Sequence, residues 1–419
     1  AITLGAALDD ASIAAAALKA LDESITTTIT FDAGGVTGAI PSISSSSYSD
    51  IIAILDSTGI SGLSTAAVTV SGNISVAEAN ILNGKTTGAI TATINDNGAS
   101  TLAGLNANTG STANAYTVTI GDSQVTAADL KAIDAATSVN VGAATVAKIT
   151  GSVADVTAVY AGGFSDLGNE PVTITDTTID ADALSSLNLN DTSGLITCSG
   201  VTAITGAASN IHVMMDDNDG TQITGLPAAT ATTVTVTVSG ESGTNVIAAA
   251  DLKAIDALFA TVIQLDSSVA GLSGSYADVE DVLTASKLVA DATADNTGVE
   301  TITVSLPTTL PITLTGTPAL AEYLDIQNNY TTGVITATFV ADGTGIDAIA
   351  EALAQTTAGT YDIVSGNALS MTLHDTTINT EDLILLQSRT TGLITLDASG
   401  NSTAPILTGP IADLTTIYT

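Results

Sequence analysis

The chain of 419 residues has no tryptophan, four Phe, eight Tyr, three Met and a single cysteine. Without bulky rings, a thick globular interior has little to fill it. Ala, Val, Ile, Leu, Thr and Gly must pack instead, which favours thin layers. The solitary Cys198 excludes an intrachain disulfide and a multi-cysteine metal centre, and reads as a small buried apolar residue. Basic residues are also scarce: seven Lys and Arg stand singly against 43 Asp and Glu, for a net charge of −36. Phosphate backbones are held by clustered Lys and Arg, so nucleic acid and anionic membrane surfaces are not expected partners. No apolar run reaches the roughly 18 residues of a membrane span, so no membrane insertion is expected. An apolar fraction of 45% argues against a disordered chain. Only two histidines occur, His212 and His374; neither has a second His at helical spacing, and both read as structural rather than zinc ligands. No Gly-x-Ser-x-Gly elbow is present. These shortages point away from an enzyme.

What is present is repetition. Ala-Ala-Asp-Leu-Lys-Ala-Ile-Asp occurs at Ala127–Asp134 and identically at Ala249–Asp256, with a degenerate copy at Ala17–Asp22. Asp-Thr-Thr-Ile stands at Asp176–Ile179 and Asp375–Ile378. Thr-Thr-Gly-(Ala/Val/Leu)-Ile-Thr stands at Thr86–Thr91, Thr331–Thr336 and Thr390–Thr395, with a variant at Thr192–Thr197. Gly-Ser-(Val/Tyr)-Ala-Asp-Val occupies Gly151–Val156 and Gly274–Val279, with Gly-Pro-Ile-Ala-Asp-Leu at Gly409–Leu414. The order is kept each time, which random low complexity would not do. The motifs divide the chain into about seven units, at residues 1–65, 66–114, 115–170, 171–229, 230–295, 296–362 and 363–419, a period in the range of solenoids.

Each unit has one grammar. A strand such as Val172–Thr175 alternates apolar residues with Thr. A helix such as Thr126–Asp134 follows, with Ala127, Leu130 and Ile133 three apart on one face. A Thr/Gly turn leads into a second strand, as at Gly88–Ile94 or Gly333–Val340, and a second helix begins at Ser152 or Ser275, which cap it ahead of Asp155 or Asp278. The expected fold is an α/β repeat solenoid, tandem β-α-β-α units forming a continuous parallel sheet backed by short helices. The alternative is an irregular β-solenoid with helical corners.

Candidate sites are few. Asp216, Asp217, Asn218 and Asp219, ahead of Gly220, form the densest acidic cluster, and their oxygens beside a glycine turn suit Ca²⁺. The EF-hand spacing fails, and the same residues also fit a polar surface turn. Asn95-Asp96-Asn97-Gly98 is a smaller counterpart. No other cofactor is expected. Gly343-Thr344-Gly345 before an expected helix Ile346–Leu353 lacks the third glycine of a dinucleotide fingerprint and reads as a repeat turn. Thr-x-Thr at Thr117–Thr119, Thr173–Thr175, Thr233–Thr237 and Thr301–Thr303 would make an ordered hydroxyl surface if the side chains faced solvent, though Thr is equally a common strand former.

The motifs Asp-Thr-Thr-Ile, Thr-Thr-Gly-Leu-Ile-Thr and Gly-Ser-x-Ala-Asp-Val together resemble repeats in the giant secreted cell-surface proteins of marine cyanobacteria, of the swimming-associated type. The resemblance implies an extracellular, structural protein at the cell surface and carries over no catalytic residue. The acidic surface agrees, since an ion-rich exterior screens self-repulsion. The residues also lead to an expectation of assembly: the chain opens on strand-like Ala1–Leu4 and closes on the helix Ile411–Thr419, and neither end carries a charged cap. Coil faces left open in this way would stack head to tail into a layer or filament. Surface glycans and divalent cations are the other expected partners. The alternative function is an adhesin or binding module for glycan, ice or mineral surfaces through Thr/Asp ladders.

Overall fold

The computed structural model describes residues 2–4, 12–31, 42–190, 194–227, 234–259, 263–290, 306–307, 309–330, 333–341, 368–373, 377–396 and 405–418. The chain divides into two compact units. The first holds Ala1–Asp176, Ser186–Gly200 and Asp219–Gly225; the second holds Thr177–Ser185, Val201–Asn218 and Leu226–Thr419. Both are α/β, with short helices and strands of two to seven residues. Every strand pairing among the described residues is parallel.

Helices start where the sequence places a cap. Thr126 Oγ1 accepts from the Asp129 N–H at 3.1 Å ahead of Ala127–Ala136, and Ser152 Oγ accepts from Asp155 N–H at 3.1 Å ahead of Val153–Tyr160. Each cap residue keeps extended backbone, so both helices begin one residue later than the motif reading placed them. Ser75 and Glu78 close a reciprocal capping box before Val76–Asn83. The expected apolar stripe is real: Ala127, Leu130 and Ile133 are all buried.

The parallel sheet is not continuous. The described strands form seven separate sheets, and the reason lies in the order of the chain. In the first unit, Gln124–Thr126 and Lys148–Gly151 each run straight into a helix and pair side by side. The sheet then continues with Val172–Ile174, Ile196–Cys198 and Ile223–Thr224. Val172–Ile174 and Ile196–Cys198 are followed by a further strand, not by a helix. In the second unit those further strands, Thr178–Asp180 and Ala203–Ala207, open a new sheet that continues with Thr235–Ser239 and Ile263–Leu265. Each sheet therefore ends after a few strands as the chain hands its helix-bearing strands to the next.

Apolar side chains line up from strand to strand across these sheets. Val125, Ile149, Val172, Ile196 and Ile223 form one row across the five-stranded sheet that Gln124–Thr126 opens, all buried. Ile179, Ile204, Val236 and Ile263 form the matching buried row in the second unit. β-Branched side chains stacked at the 4.7–4.9 Å strand spacing fill a thin layer without rings.

Candidate functional site

The polar contacts of this chain recur at two kinds of junction between elements distant in sequence. In the first kind, an acidic side chain 20 to 32 residues further on reaches back to the first turn of a helix. Asp96 Oδ2 accepts from the Val76 N–H, Asp122 Oδ2 from Ala99 and Asp176 Oδ2 from Val153, each at 2.7 Å. In the second unit Glu241 takes both the Ser209 N–H, at 3.1 Å, and the Ser209 hydroxyl, at 2.8 Å. The first turn of a helix has unsatisfied N–H groups and a partial positive charge, so a carboxylate there is doubly favourable. Asp176 is the acid of the Asp-Thr-Thr-Ile motif, whose second copy at Asp375 lies outside the described residues.

In the second kind, backbone lies directly on the start of a helix. A Cβ on Gly151 would fall 2.6 Å from the Ala127 Cβ, and one on Gly274 would fall 2.8 Å from the Ala249 Cβ. Here a lysine of the earlier helix meets an acid of the later one. Lys131 Nζ is 2.9 Å from Asp155 Oδ1, and Lys253 Nζ lies 2.5 Å from Asp281 Oδ2 and 3.6 Å from Asp278 Oδ1. Lys19 and Asp50 pair likewise at 3.2 Å. The Lys131 ammonium first, then the Ser152 hydroxyl, hold Asp155 below the usual carboxylate range. The Lys-bearing and Gly-Ser motifs keep their order because they are the two halves of this junction.

The Ca²⁺ candidates go to separate local partners. Asp216 ends the helix Ala208–Asp216, and its carboxylate lies 3.6 Å from His212 Nε2. Asp217 is the residue that caps this helix, and its N–H donates to the Val213 carbonyl at 3.0 Å. Asn218 Oδ1 accepts from the Leu226 N–H at 3.3 Å. Asp219 accepts from the Thr221 hydroxyl and N–H, at 2.6 and 2.8 Å, and these bonds hold it below the usual range. The boundary between the compact units passes between Asn218 and Asp219. Among the described residues no group of three His, Cys, Asp or Glu is placed to hold a metal. In the smaller counterpart, Asp96 is a helix-capping acid.

Cys198 is buried in a row with Ile174, and burial first, then the Asp176 carboxylate, push its thiol up to about 12. His212 lies between Asp216 and, at 3.5 Å from Nδ1, Asp251 of the helix Ala249–Leu258. His374, Gly343-Thr344-Gly345 with its expected helix, Thr233 and Thr301–Thr303 lie outside the described residues.

One feature escaped the motif reading. Asn114 is fully buried: its Oδ1 accepts from Ile90 N–H at 2.9 Å, and its Nδ2 donates to Asn83 Oδ1 and Tyr116 Oη, both at 3.0 Å. Nearby, Ser64, Asn80, Asn83, Lys85 and Asn106 line an open polar groove of about 550 Å³. A buried asparagine in a tract of small polar residues has no spacing to mark it. Of the Thr-x-Thr residues, Thr173 stands in a row with Thr126, Thr150, Thr197 and Thr224, in register on the face of its five-stranded sheet opposite the buried row. No family model, curated protein or solved structure matches the chain.

Proposed function

We propose that the chain is a structural extracellular protein, a repeat segment of a cell-surface layer or filament. In this reading about seven two-coil repeats wind as a solenoid and assemble by head-to-tail stacking of coil faces. The observation that carries it is the reciprocity of the junctions: a helix in one coil is completed by an acid 20 to 32 residues later, in the next. A row of junctions built this way can be extended by any further repeat, of the same chain or of another. Exposed apolar residues in the second unit support such a contact. Leu393 is 73% exposed, Ile406 60% and Ile411 82%. The net charge of −36 suits a surface in an ion-rich medium.

Sedimentation velocity and electron micrographs over a concentration series, with and without a Ca²⁺ chelator, test the reading. The expected outcome is rods or filaments that lengthen with concentration. Isolated 41.3 kDa particles at every concentration would sink it.

A second reading, a binding module for glycan, ice or mineral surfaces, draws on the outward threonine row. It requires that replacing Thr173 and Thr197 with valine weaken adsorption to such a surface while leaving assembly unchanged.

A further inference from the structure

Residues 103–114 join the short helix Ala99–Leu102 to the strand Ala115–Thr117, whereas the helices Ala127–Ala136 and Val153–Tyr160 reach their next strands through 137–140 and 161–163. Three asparagines fix this longer segment. Asn80 Nδ2 donates to the Gly104 carbonyl at 2.7 Å, and Asn80 Oδ1 accepts from the Asn106 N–H at 2.8 Å. Asn83, itself held by the buried Asn114, donates from Nδ2 to the Ala107 carbonyl at 3.1 Å. Asn108 Nδ2 donates to the Thr87 carbonyl at 3.3 Å and to the Thr112 carbonyl at 2.6 Å. Long connections held in one shape are where proteins commonly carry binding surfaces. Between this segment and the end of the helix Val76–Asn83 runs the polar groove, whose volume of about 550 Å³ falls in the range of ligand sites. All of these residues belong to the first compact unit.

We propose that this groove binds a neutral oligosaccharide. The walls are preorganised by the asparagine contacts, while the groups left over are free to meet a ligand. Ser64 Oγ, the Asn106 side-chain amide and Thr109 Oγ1 line the groove and make no hydrogen bond within the described residues. Lys85, also in the lining, spends one of its N–H donors on Asp56 Oδ1 at 2.5 Å and keeps the others. Hydroxyl and amide groups both donate and accept, as do the hydroxyls of a sugar, so each free group here finds a partner on a saccharide in either sense.

Charge and shape exclude the other classes. No carboxylate lines the groove, although the chain carries 43 acids, so a cation finds only the Lys85 ammonium there. An anion meets an ammonium already paired with Asp56, inside a molecule of net charge −36 that repels it. No ring and no branched aliphatic side chain lines the groove, so an apolar ligand has nothing to pack against. No lining residue belongs to a strand, so an extended peptide has no sheet edge to pair with. What remains is an uncharged ligand rich in hydroxyls. The proposal rests on the binding-module reading and moves its site from the threonine row to this groove, with none of that row's residues in the lining. It holds whether or not copies of the chain stack.

Saturation-transfer NMR of the whole chain with maltotetraose, cellotetraose and chitotetraose tests it, with tetragalacturonate and a Gly-Ser octapeptide as the anionic and peptide comparisons. The expected result is transfer to at least one neutral tetrasaccharide and to neither comparison. Titration of that sugar should then show Asn106→Ala and Lys85→Ala each weakening binding by about three- to tenfold, as the loss of one hydrogen bond does. Both side chains are exposed, and an unchanged urea midpoint checks that the variants fold. Lys131→Ala, which removes an exposed lysine outside the groove, leaves the affinity as it was. Sugar binding that Asn106→Ala and Lys85→Ala leave untouched overturns the groove and leaves the binding-module reading standing. Stronger transfer to tetragalacturonate or to the peptide overturns the ligand class. No transfer to any of the three sugars overturns the groove and the glycan form of the binding-module reading together.

Discussion

At the scale of single residues, a few buried polar or titratable groups hold neighbouring elements in place. Asn114 spends both ends of its amide on buried partners. Asn114→Leu leaves the Ile90 N–H and the Asn83 and Tyr116 oxygens without it, and should lower the unfolding free energy by about 2–4 kcal/mol in a urea melt. Asp176→Ala removes a cap from the helix Val153–Tyr160 and should cost about 0.5–2 kcal/mol. Burial raises Tyr116 from 10.0 to about 12, and Cys198 from 9.0 to about 12. A folded-state pKa above the unfolded one stabilises the fold fully below the unfolded value and loses that contribution as pH rises toward the folded one. Stability should therefore fall between about pH 9 and pH 12, and Cys198→Ala should flatten the first part of the fall. A flat urea midpoint across that window would contradict the burial of both groups.

At the scale of elements, the junctions decide which substitutions matter. Lys131 and Asp155 are partly exposed, so Lys131→Ala should cost less than about 1 kcal/mol. Gly151→Val is the opposite case. A side chain there meets the Ala127 Cβ at 2.6 Å with no flexible group to yield, and overpacking of this sort costs about 1–3 kcal/mol or more. Thermal melts of the two variants should differ accordingly, with the conspicuous charge pair mattering less than the glycine. In the motif Gly-Ser-Val-Ala-Asp-Val, then, close approach of the backbone outweighs the ion pair.

At the scale of the whole molecule, charge dominates. A net −36 opposes compaction and association in dilute buffer, whereas the buried rows and backbone ladders are indifferent to salt. The melting temperature should rise as NaCl is added from about 0.01 M, where the Debye length is about 30 Å, to about 0.15 M, where it is about 8 Å. A melting temperature that falls over this range would show that the few lysine pairs outweigh the general repulsion.

The motifs made much of this legible. Spacing of Ala127, Leu130 and Ile133 set the helix face, and Thr126 and Ser152 the starts of their two helices, because caps and periodicity act within a few residues of chain. The role of Cys198 as a buried apolar residue was legible too. Partnership between distant elements was not. Nothing in Asp176 or Asp96 says that its carboxylate serves a helix 20 or more residues earlier, and Asp96 looked instead like part of an ion-binding turn. The one continuous sheet expected from the repeats proved to be several, because pairing of a two- or three-residue strand depends on which neighbour the preceding helix brings alongside. Local chemistry determined the elements of this protein. Only the tertiary structure decided which strand and which acid complete which element, since that choice is made by contacts between residues that the sequence holds far apart.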